Sequence, residues 1–271
     1  LVGGEVNADA VRIGGGIEMG HTATLVHDDL LDGAVMRRRV DTVHERWGDR
    51  PSILIGDFIY SRAFQLSTGV EGMAAALSGA TNKICAGELL QIGSRFKSDL
   101  SEESYFEIIQ KKTAVLHALA CELGGVFAGL EPAESQALGG LGMDLGMAFQ
   151  VVDDCLDYAG EETVVGKSLG TDLRQGKLTL PLIYLRDSLD EAESKWLQKA
   201  LSAPMEEDVE MRIHDMVRNG GVLVRSFERA QAFVQNARST LQDICTLDVK
   251  VSDSVKQSIE LAADFVISRD L

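Results

Sequence analysis

Residues 26–32 read Val-His-Asp-Asp-Leu-Leu-Asp, and a near copy, Val-Asp-Asp-Cys-Leu-Asp, occupies residues 152–157. In each copy an aspartate pair precedes a third aspartate by about one helical turn. The first and last carboxylates therefore share one face of a helix, with Cβ atoms roughly 5–6 Å apart. We call Asp28, Asp29 and Asp32 the first aspartate motif, and Asp153, Asp154 and Asp157 the second aspartate motif.

The chemistry of these carboxylates favours a magnesium site. Hard oxygen ligands suit Mg²⁺, which usually keeps several waters and is shared between one or two carboxylates and substrate phosphates. Three arginines at residues 37–39 follow the first aspartate motif. A charge run is usually a solvated surface, but guanidinium groups beside a metal site are better explained as diphosphate ligands. We therefore interpret the two motifs as halves of one metal–diphosphate site.

The composition favours one all-α domain over residues 1–271. Only four prolines interrupt the chain, and β-branched alternation is rare. The net charge of -16 argues against a nucleic-acid partner. Four scattered cysteines without CxxC spacing favour a reducing cytoplasm over disulfides or zinc. Apolar runs stay below the ~18 residues that span a bilayer, so we expect no transmembrane segment and a cytoplasmic location.

Several local patterns predict how helices place further polar residues. The glycine run at residues 14–16 indicates close helix packing, because it lacks the GxGxxG spacing of a dinucleotide loop. Lys112 interrupts an apolar stripe, so it should point inward beside Thr113 and is interpreted as functional. Phe149 and Gln150 precede Asp153 by about one turn and belong beside its metal face. Helices are predicted near residues 51–67, 71–95, 190–200, 206–218, 222–245 and 252–268.

Two glycine–lysine steps, Gly166-Lys167 and Gly176-Lys177, follow the second aspartate motif. Neither forms a P-loop, because the glycine spacing is wrong and no strand precedes them. We interpret this segment as a mobile lid that carries lysines.

With these elements placed, the chain resembles the trans-isoprenyl (polyprenyl) diphosphate synthases of medium- to long-chain type. The matching segments, in the order of the family, are residues 21–32 (HTATLVHDDLLD), Arg37-Arg38, Gly56-Asp57, Lys112-Thr113, residues 149–157 (FQVVDDCLD) and Gly166-Lys167 to Gly176-Lys177. A single DDxxD is weak evidence, whereas this ordered set is strong. The resemblance implies an all-α fold of antiparallel helices around a central cavity, and a homodimer.

The resemblance also implies a reaction and a role for each site residue. The reaction is a Mg²⁺-dependent condensation of isopentenyl diphosphate with an allylic prenyl diphosphate, which yields a longer all-trans polyprenyl diphosphate. Two to three Mg²⁺ ions are expected on Asp28, Asp32 and Asp153, supported through waters by Asp29, Asp154 and Asp157. The allylic diphosphate is assigned to Arg37, Lys112 and Lys167, and isopentenyl diphosphate to His21 and Arg38. The candidate catalytic residues are Lys112, Thr113, Gln150 and Lys167, and Lys177 joins the substrate-binding set.

Product length is expected to depend on Ala23 and Thr24, which precede the first aspartate motif by about one turn. Short-chain members of the family carry bulky aromatic residues there. The small residues of this chain leave the tunnel open, which predicts a product of C30 or longer. The substitution Ala23→Phe is then expected to shorten the product.

Two features depart from the family pattern. The Gly-Gly-Lys-Arg motif that supplies further cations for isopentenyl diphosphate is absent, and its place lies upstream of Leu1. We therefore expect that N-terminal helices are missing from this sequence. Arg39 stands where a glycine is usual, and Asp41 where a proline is common.

Three other functions remain open from the sequence. A class I terpene cyclase also ionises a prenyl diphosphate, but its second site is normally of the Asn/Ser/Glu type rather than a repeated DDxxD. An HD-type metal phosphohydrolase could use His27-Asp28 but needs further His and Asp ligands. A non-catalytic subunit of a heteromeric synthase would not need both aspartate motifs.

Overall fold

Helices make up nearly all of the computed structural model, which describes residues 8–159, 170–246 and 252–268. In chain order the helices are α1 (Ala8–Leu31), α2 (Val43–Trp47), α3 (Asp49–Ser67), α4 (Met73–Ser94), α5 (Glu102–Ile109), α6 (Val115–Phe127), α7 (Pro132–Ala159), α8 (Thr171–Arg174), α9 (Leu180–Ser188), α10 (Glu191–Leu201), α11 (Glu207–Asn219), α12 (Val222–Thr246) and α13 (Asp253–Ser268). The predicted all-α class is confirmed.

The four helices α10–α13 close one side of the core. They begin and end within a residue or two of the amphipathic segments that the sequence predicts there. Each buries its apolar face and leaves its charged face in water, as the helical spacing of their apolar residues requires. Buried side chains such as Leu197, Ile213 and Val234 join Leu182 and Ile183 of α9 in the largest hydrophobic cluster.

The helices α6 and α7 form a closely packed antiparallel pair at the centre. Thr113, just before α6, bonds to Gln150 near the end of α7, whereas Gly125 near the end of α6 faces Ser135 near the start of α7. Glycine makes the approach possible. A Cβ atom added at Gly142 would lie 2.5 Å from the carbonyl oxygen of His117, nearer than packed atoms can come.

A similar contact fixes α1, which carries the first aspartate motif. A Cβ atom added at Gly16 would lie 2.6 Å from Cε of Met73 and 3.6 Å from the carbonyl oxygen of Ala63. Helix packing at Gly16 is therefore confirmed. Gly14 has open space where its Cβ would be, so it takes no part in this contact.

A small β-hairpin follows α1, where the sequence predicts only a polar connection. Strand β1 (Met36–Arg37) pairs antiparallel with β2 (Val40–Asp41). The two loop residues Arg38 and Arg39 both have positive φ, 50° and 66°. A two-residue hairpin of this kind needs φ > 0 at both positions, which Asn-Gly or Gly-Gly supplies most easily. Because both residues here are arginines, no turn signal is visible in the sequence.

Between α5 and α6 the helix contains a π-helical turn, Gln110–Ala114. A π-turn inserts one extra residue into a helix, and such turns are frequent at functional sites. This one carries Lys112 and Thr113, both half-buried. It also packs directly on α4, because a Cβ atom added at Gly87 would lie 2.6 Å from the backbone nitrogen of Lys112.

Replacing Gly87 by alanine is expected to destabilise the fold at this contact. The added methyl group meets backbone atoms that cannot rotate away, so α4 has to move off the π-helical turn at a cost of about 1–3 kcal/mol. Gly79 is the matched control, because it lies on α4 with open space around it. Gly79→Ala is expected to stabilise by about 0.5–1 kcal/mol. Urea unfolding measures both changes, and equal stabilities of the two variants would contradict the packing argument.

Candidate active site

The first aspartate motif lies at the end of α1, with its carboxylates in different surroundings. Burial raises the pKa of Asp28 to about 6, and the nearby negative charges of Glu88 and Asp32 add to this while Lys112 opposes it. Asp29 is buried and accepts a hydrogen bond of 2.8 Å from Nε of Arg37. The motif therefore turns Asp28 toward the other acids and uses Asp29 to anchor the β-hairpin.

Asp32 connects the first aspartate motif to the second half of the chain. Its Oδ1 atom accepts a bond of 2.8 Å from Nη2 of Arg95, and its Oδ2 atom one of 3.0 Å from Nζ of Lys177. Lys177 also lies 3.4 Å from Oδ1 of Asp172. Although burial by itself lowers the pKa of Lys177, the charges of Asp172 and Asp32 outweigh burial and raise it. The lysine is thus a buried cation shared between two carboxylates.

Arg95 is a further site residue that is not among those predicted from the sequence. It lies just after α4 and reaches Asp32 across the site. Its only sequence signal is a single positive charge at the end of a helix, where a cation is favourable anyway because of the helix dipole.

Lys112 and Thr113 face the centre of the molecule, as their position in the apolar stripe predicts. Nζ of Lys112 donates a bond of 2.7 Å to Gln91 and pairs with Glu88. The Thr113 hydroxyl donates a bond of 2.8 Å to Oε1 of Gln150. The structure therefore brings Thr113 and Gln150 together, whereas Lys112 is bonded to side chains of α4.

The second aspartate motif is more enclosed than the first. Asp154 is buried and accepts bonds of 2.6 Å from the Tyr105 hydroxyl and 2.7 Å from Nε2 of Gln150. Burial raises the pKa of Asp154, and the negative charge of Asp172 adds to the effect. Asp153 stays half-exposed. Of the pair, only Asp153 is open to an added ligand.

Asp157 is fully buried and anchors the start of α8. Its carboxylate accepts bonds from the Thr171 hydroxyl at 3.4 Å and from the backbone nitrogen of Asp172 at 3.2 Å. This differs from the expectation that Asp154 and Asp157 support a metal through waters. Their enclosure suits them to hold Gln150 and the chain around residue 172 in place.

His21 and the hairpin arginines lie on one side of the site. Burial lowers the pKa of the His21 imidazole, and the positive charges of Arg38 and Arg37 lower it further while Glu18 opposes them. His21 is therefore within electrostatic range of both arginines, as an anion-binding cluster requires. Lys167, the remaining predicted diphosphate ligand, lies outside the described residues, as does the rest of the predicted lid before Gly170.

The two predicted chain-length residues are not equivalent. Ala23 has no exposed surface, so it borders no space that a water molecule could enter. Thr24 is half-exposed, lies one turn before Asp28 on the same helix face, and donates a bond of 2.8 Å to the carbonyl oxygen of His21. Ala23 is therefore enclosed by protein, whereas Thr24 keeps accessible surface, and the dependence of product length on these residues stays a prediction.

His27 is used in packing rather than in the site. Its Nε2 atom lies 3.3 Å from the carbonyl oxygen of Ile53 and 3.5 Å from Oδ1 of Asp57, both on α3. Gly56 makes this possible, because a Cβ atom there would lie 2.2 Å from His27. Helix α3 thus holds His27 away from Asp28, which argues against the phosphohydrolase alternative.

Within the described ranges, no three His, Cys, Asp or Glu side chains converge closely enough to enclose a metal ion. The acidic groups instead form two separated sets joined through Lys177. Such an open arrangement suits Mg²⁺, which retains waters and takes further oxygens from phosphates. The described helices also include none that is long and apolar enough to cross a membrane.

The fold and these two aspartate motifs define an all-α protein in which two sets of acidic side chains are joined through Lys177. Comparison with known proteins identifies the class, since the family described as Polyprenyl synthetase matches residues 2–217. The chain belongs to the polyprenyl synthetase family.

Individual relatives differ in their products. The octaprenyl diphosphate synthase of Escherichia coli K12 is 44% identical over 185 residues, which cover 68% of this chain and 57% of that protein. This chain thus spans just over half the length of that relative. A short chain isoprenyl diphosphate synthase of Methanothermobacter thermautotrophicus is 33% identical over 275 residues, covering 99% of this chain and 82% of that protein.

A solved structure shows the same fold. It is a polyprenyl synthase from Caulobacter crescentus CB15 complexed with calcium and isoprenyl diphosphate, 35% identical in sequence, with a TM-score of 0.91 over 100% of this chain and 81% of that one.

Proposed function

We propose that this protein condenses isopentenyl diphosphate with an allylic prenyl diphosphate in a Mg²⁺-dependent reaction, giving an all-trans polyprenyl diphosphate. One observation carries the proposal. The contacts from Asp32 through Lys177 and Asp172 to Asp157 connect the two aspartate motifs across one site. Two acidic surfaces held around cations are what a diphosphate with its metal ions requires.

The residues present fit Mg²⁺. Asp28 is a half-buried carboxylate whose ionised form is disfavoured by desolvation and by nearby acids, so a divalent cation there relieves an existing cost. Asp28, Asp32 and Asp153 are proposed as ligands of two to three ions. When bound, Mg²⁺ stabilises the negative charge that develops on the leaving diphosphate. The isoprenyl diphosphate and calcium bound to the Caulobacter protein support this assignment.

Cationic side chains and the imidazole of His21 are proposed to hold the two diphosphates. Arg37, Lys112 and Lys167 bind the allylic group, whereas His21 and Arg38 bind isopentenyl diphosphate. Because Arg37 and Lys112 are charged before the reaction, their attraction grows as the allylic C–O bond breaks and charge builds on the leaving group. Lys177 acts indirectly, because its ammonium group holds the carboxylates of Asp32 and Asp172 in position.

Neutral dipoles face the allylic carbon in this proposal. The Thr113 hydroxyl and the Gln150 amide are already bonded to each other, which orients both groups. Weak dipoles stabilise a developing cation without capturing it, as a strong nucleophile would do. The departing diphosphate is then the base that removes the final proton, and no side-chain base is needed.

Turnover with labelled isopentenyl diphosphate, Mg²⁺ and allylic primers of increasing length tests this proposal. Elongated prenyl diphosphates are expected. Asp28→Asn and Asp153→Asn should each lower kcat by about 100-fold or more, because each removes a charge that holds the metal-complexed leaving group. Asp99→Asn, at an exposed aspartate outside both motifs, is the matched control and should retain activity.

Other products of the same assay would contradict the proposal. Cyclic hydrocarbon would identify a terpene cyclase, and monophosphate would identify a hydrolase. No turnover with any primer would point to a non-catalytic subunit.

We also propose that the product is C30 or longer, since the side chain one turn before Asp28 on the same face of α1 is the small Thr24. Thr24 now carries this expectation, because it is half-exposed on the metal-bearing face of α1. Relatives with long and short products both match this chain, so the proposal rests on the size of this side chain.

Replacing Thr24 by phenylalanine is expected to shorten the product by one or more isoprene units, since the ring blocks the path of the growing chain. Thr24→Ala removes the hydroxyl without adding bulk, and its product should match that of the unmodified protein. Chromatography of the dephosphorylated products gives the length. An unchanged length for Thr24→Phe would place the tunnel elsewhere.

A homodimer is proposed as the assembled form. Helices α3 and α4 are neighbours, joined by the contact between Tyr60 and Thr81. They expose an unusual number of large apolar side chains, namely Ile53, Leu54, Phe58, Leu89, Leu90 and Ile92. Large apolar side chains exposed in this number on two neighbouring helices favour an interface. A second copy of the chain is its proposed occupant.

The double substitution Phe58→Glu and Leu89→Glu is expected to convert the dimer into a monomer, because it buries two charges at the proposed interface. Leu261→Glu on α13 is the matched control, since Leu261 is similarly exposed but lies on another helix. Sedimentation equilibrium measures the mass. A dimer that survives the double substitution but not the control would place the interface on α13.

A further inference from the structure

Thr24, Phe149 and His117 form one layer of side chains, each about one helical turn from a residue of the proposed site. Thr24 precedes Asp28 by four residues on α1, and Phe149 precedes Asp153 by four on α7. His117 follows Thr113 by four residues. Because α6 and α7 are antiparallel, this places His117 on the same side as Phe149. Their rings confirm the arrangement, with centroids 5.7 Å apart. This layer lies about one helical turn, or about 5.4 Å, from Asp28, Asp153 and Thr113.

His117 is exposed on α6, and its ring contacts the ring of Phe149. The surrounding protein nevertheless lowers the pKa of the imidazole through burial, and the nearby His21 lowers it further, although the Thr113 carbonyl acts in the opposite direction. The ring is therefore neutral at pH 7.

The contacts of the neutral ring assign its proton. Nδ1 of His117 lies 3.3 Å from the carbonyl oxygen of Thr113. A carbonyl oxygen can only accept, so Nδ1 carries the hydrogen and Nε2 keeps a lone pair. Gly146 leaves room for this orientation, since a Cβ atom there would lie 3.0 Å from Nδ1. The hydrogen bond to the Thr113 carbonyl therefore fixes the tautomer that leaves the lone pair on Nε2.

A lone pair in this layer acts on the hydrocarbon part of a substrate. At this exposed side chain Nε2 can bond to water, whereas a prenyl chain offers no hydrogen-bond donor. Displacing that water leaves a polar atom unpaired, which weakens binding. One helical turn is comparable to the length of one isoprene unit. Binding is therefore weakened for primers that contain a second isoprene unit and is unchanged for a C5 primer.

We propose that His117 determines which allylic primers the site accepts, by placing a hydrogen-bond acceptor where the second isoprene unit has to lie. This inference rests on the proposed function and concerns the same site. It adds a specificity-determining residue whose effect is on the primer tail, separate from the cations that hold the diphosphate.

The test compares the binding of unreactive C5, C10 and C15 allylic thiolodiphosphates with Mg²⁺ by calorimetry. His117→Leu removes the lone pair at similar volume. It is expected to tighten binding of the C10 and C15 analogues by about three- to tenfold and to leave the C5 analogue unchanged. His117→Gln keeps a polar group and is expected to keep the original ratio. Should His117→Leu fail to fold, His117→Met carries the same expectation.

An unchanged ratio of C15 to C5 affinity in the leucine variant would overturn the inference, as would an equal shift for all three analogues. Binding needs no turnover, so the result stays separate from the fate of the proposed function. If the unmodified protein elongates primers but the ratio does not respond, only the role of His117 is refuted. If it binds the analogues with the expected ratio but never elongates a primer, only the proposed function is refuted.

Discussion

The buried ammonium group of Lys177 is the contact on which the candidate site depends. It lies between Asp32, at the end of the first helix, and Asp172, which in turn positions Asp157. Without this cation, carboxylates from two distant parts of the chain would face one another with the Arg95–Asp32 pair as the remaining compensation described here. Breaking a buried pair by removing one partner typically costs about 3–5 kcal/mol. Further bonds strengthen the link, since the Gln175 amide donates to the Asp32 carbonyl and Phe96 donates to the Gly176 carbonyl.

The same residues thus serve folding and chemistry. The acidic surface needed for a metal-complexed diphosphate is unfavourable in a folded protein until cations balance it. Lys177 and Arg95 supply part of that balance internally. A net charge of -16 shows that this protein does not solve the problem by being basic overall. It gathers a few cations at the one place where acids converge.

Much of this arrangement follows from the sequence. Amphipathic spacing gave the helices α10–α13 almost to the residue, because their stability comes from one apolar face and little else. The two aspartate motifs and the inward Lys112 were also predictable, since helical periodicity alone decides which side chains share a face. The family resemblance added the order of the motifs. These features depend on local spacing, which a sequence states directly.

The features that were not predictable depend on contacts between distant segments. Arg95 reaches Asp32 across 63 positions of the chain, and no local pattern records that distance. The burial of Asp154 requires Tyr105, which lies on another helix. The Arg38-Arg39 loop of the β-hairpin was not predictable, because its sequence lacks the glycine that usually permits positive φ. Ala23 was assigned to the tunnel from its position, whereas packing in three dimensions encloses it completely.

The π-helical turn at residues 110–114 has a consequence for how this part of the chain is phased. Each residue turns a helix by about 100°, so one inserted residue rotates everything after it relative to everything before. Tyr105 on α5 and His117 on α6 therefore do not share one α-helical periodicity, although α5, the π-helical turn and α6 are consecutive in the chain. The extra residue lets this part of the chain present Tyr105 to the second aspartate motif and His117 to the layer beneath it. The extra residue thus changes the helical phase between α5 and α6. A chain one residue shorter here could direct either Tyr105 or His117 to its contact, but not both.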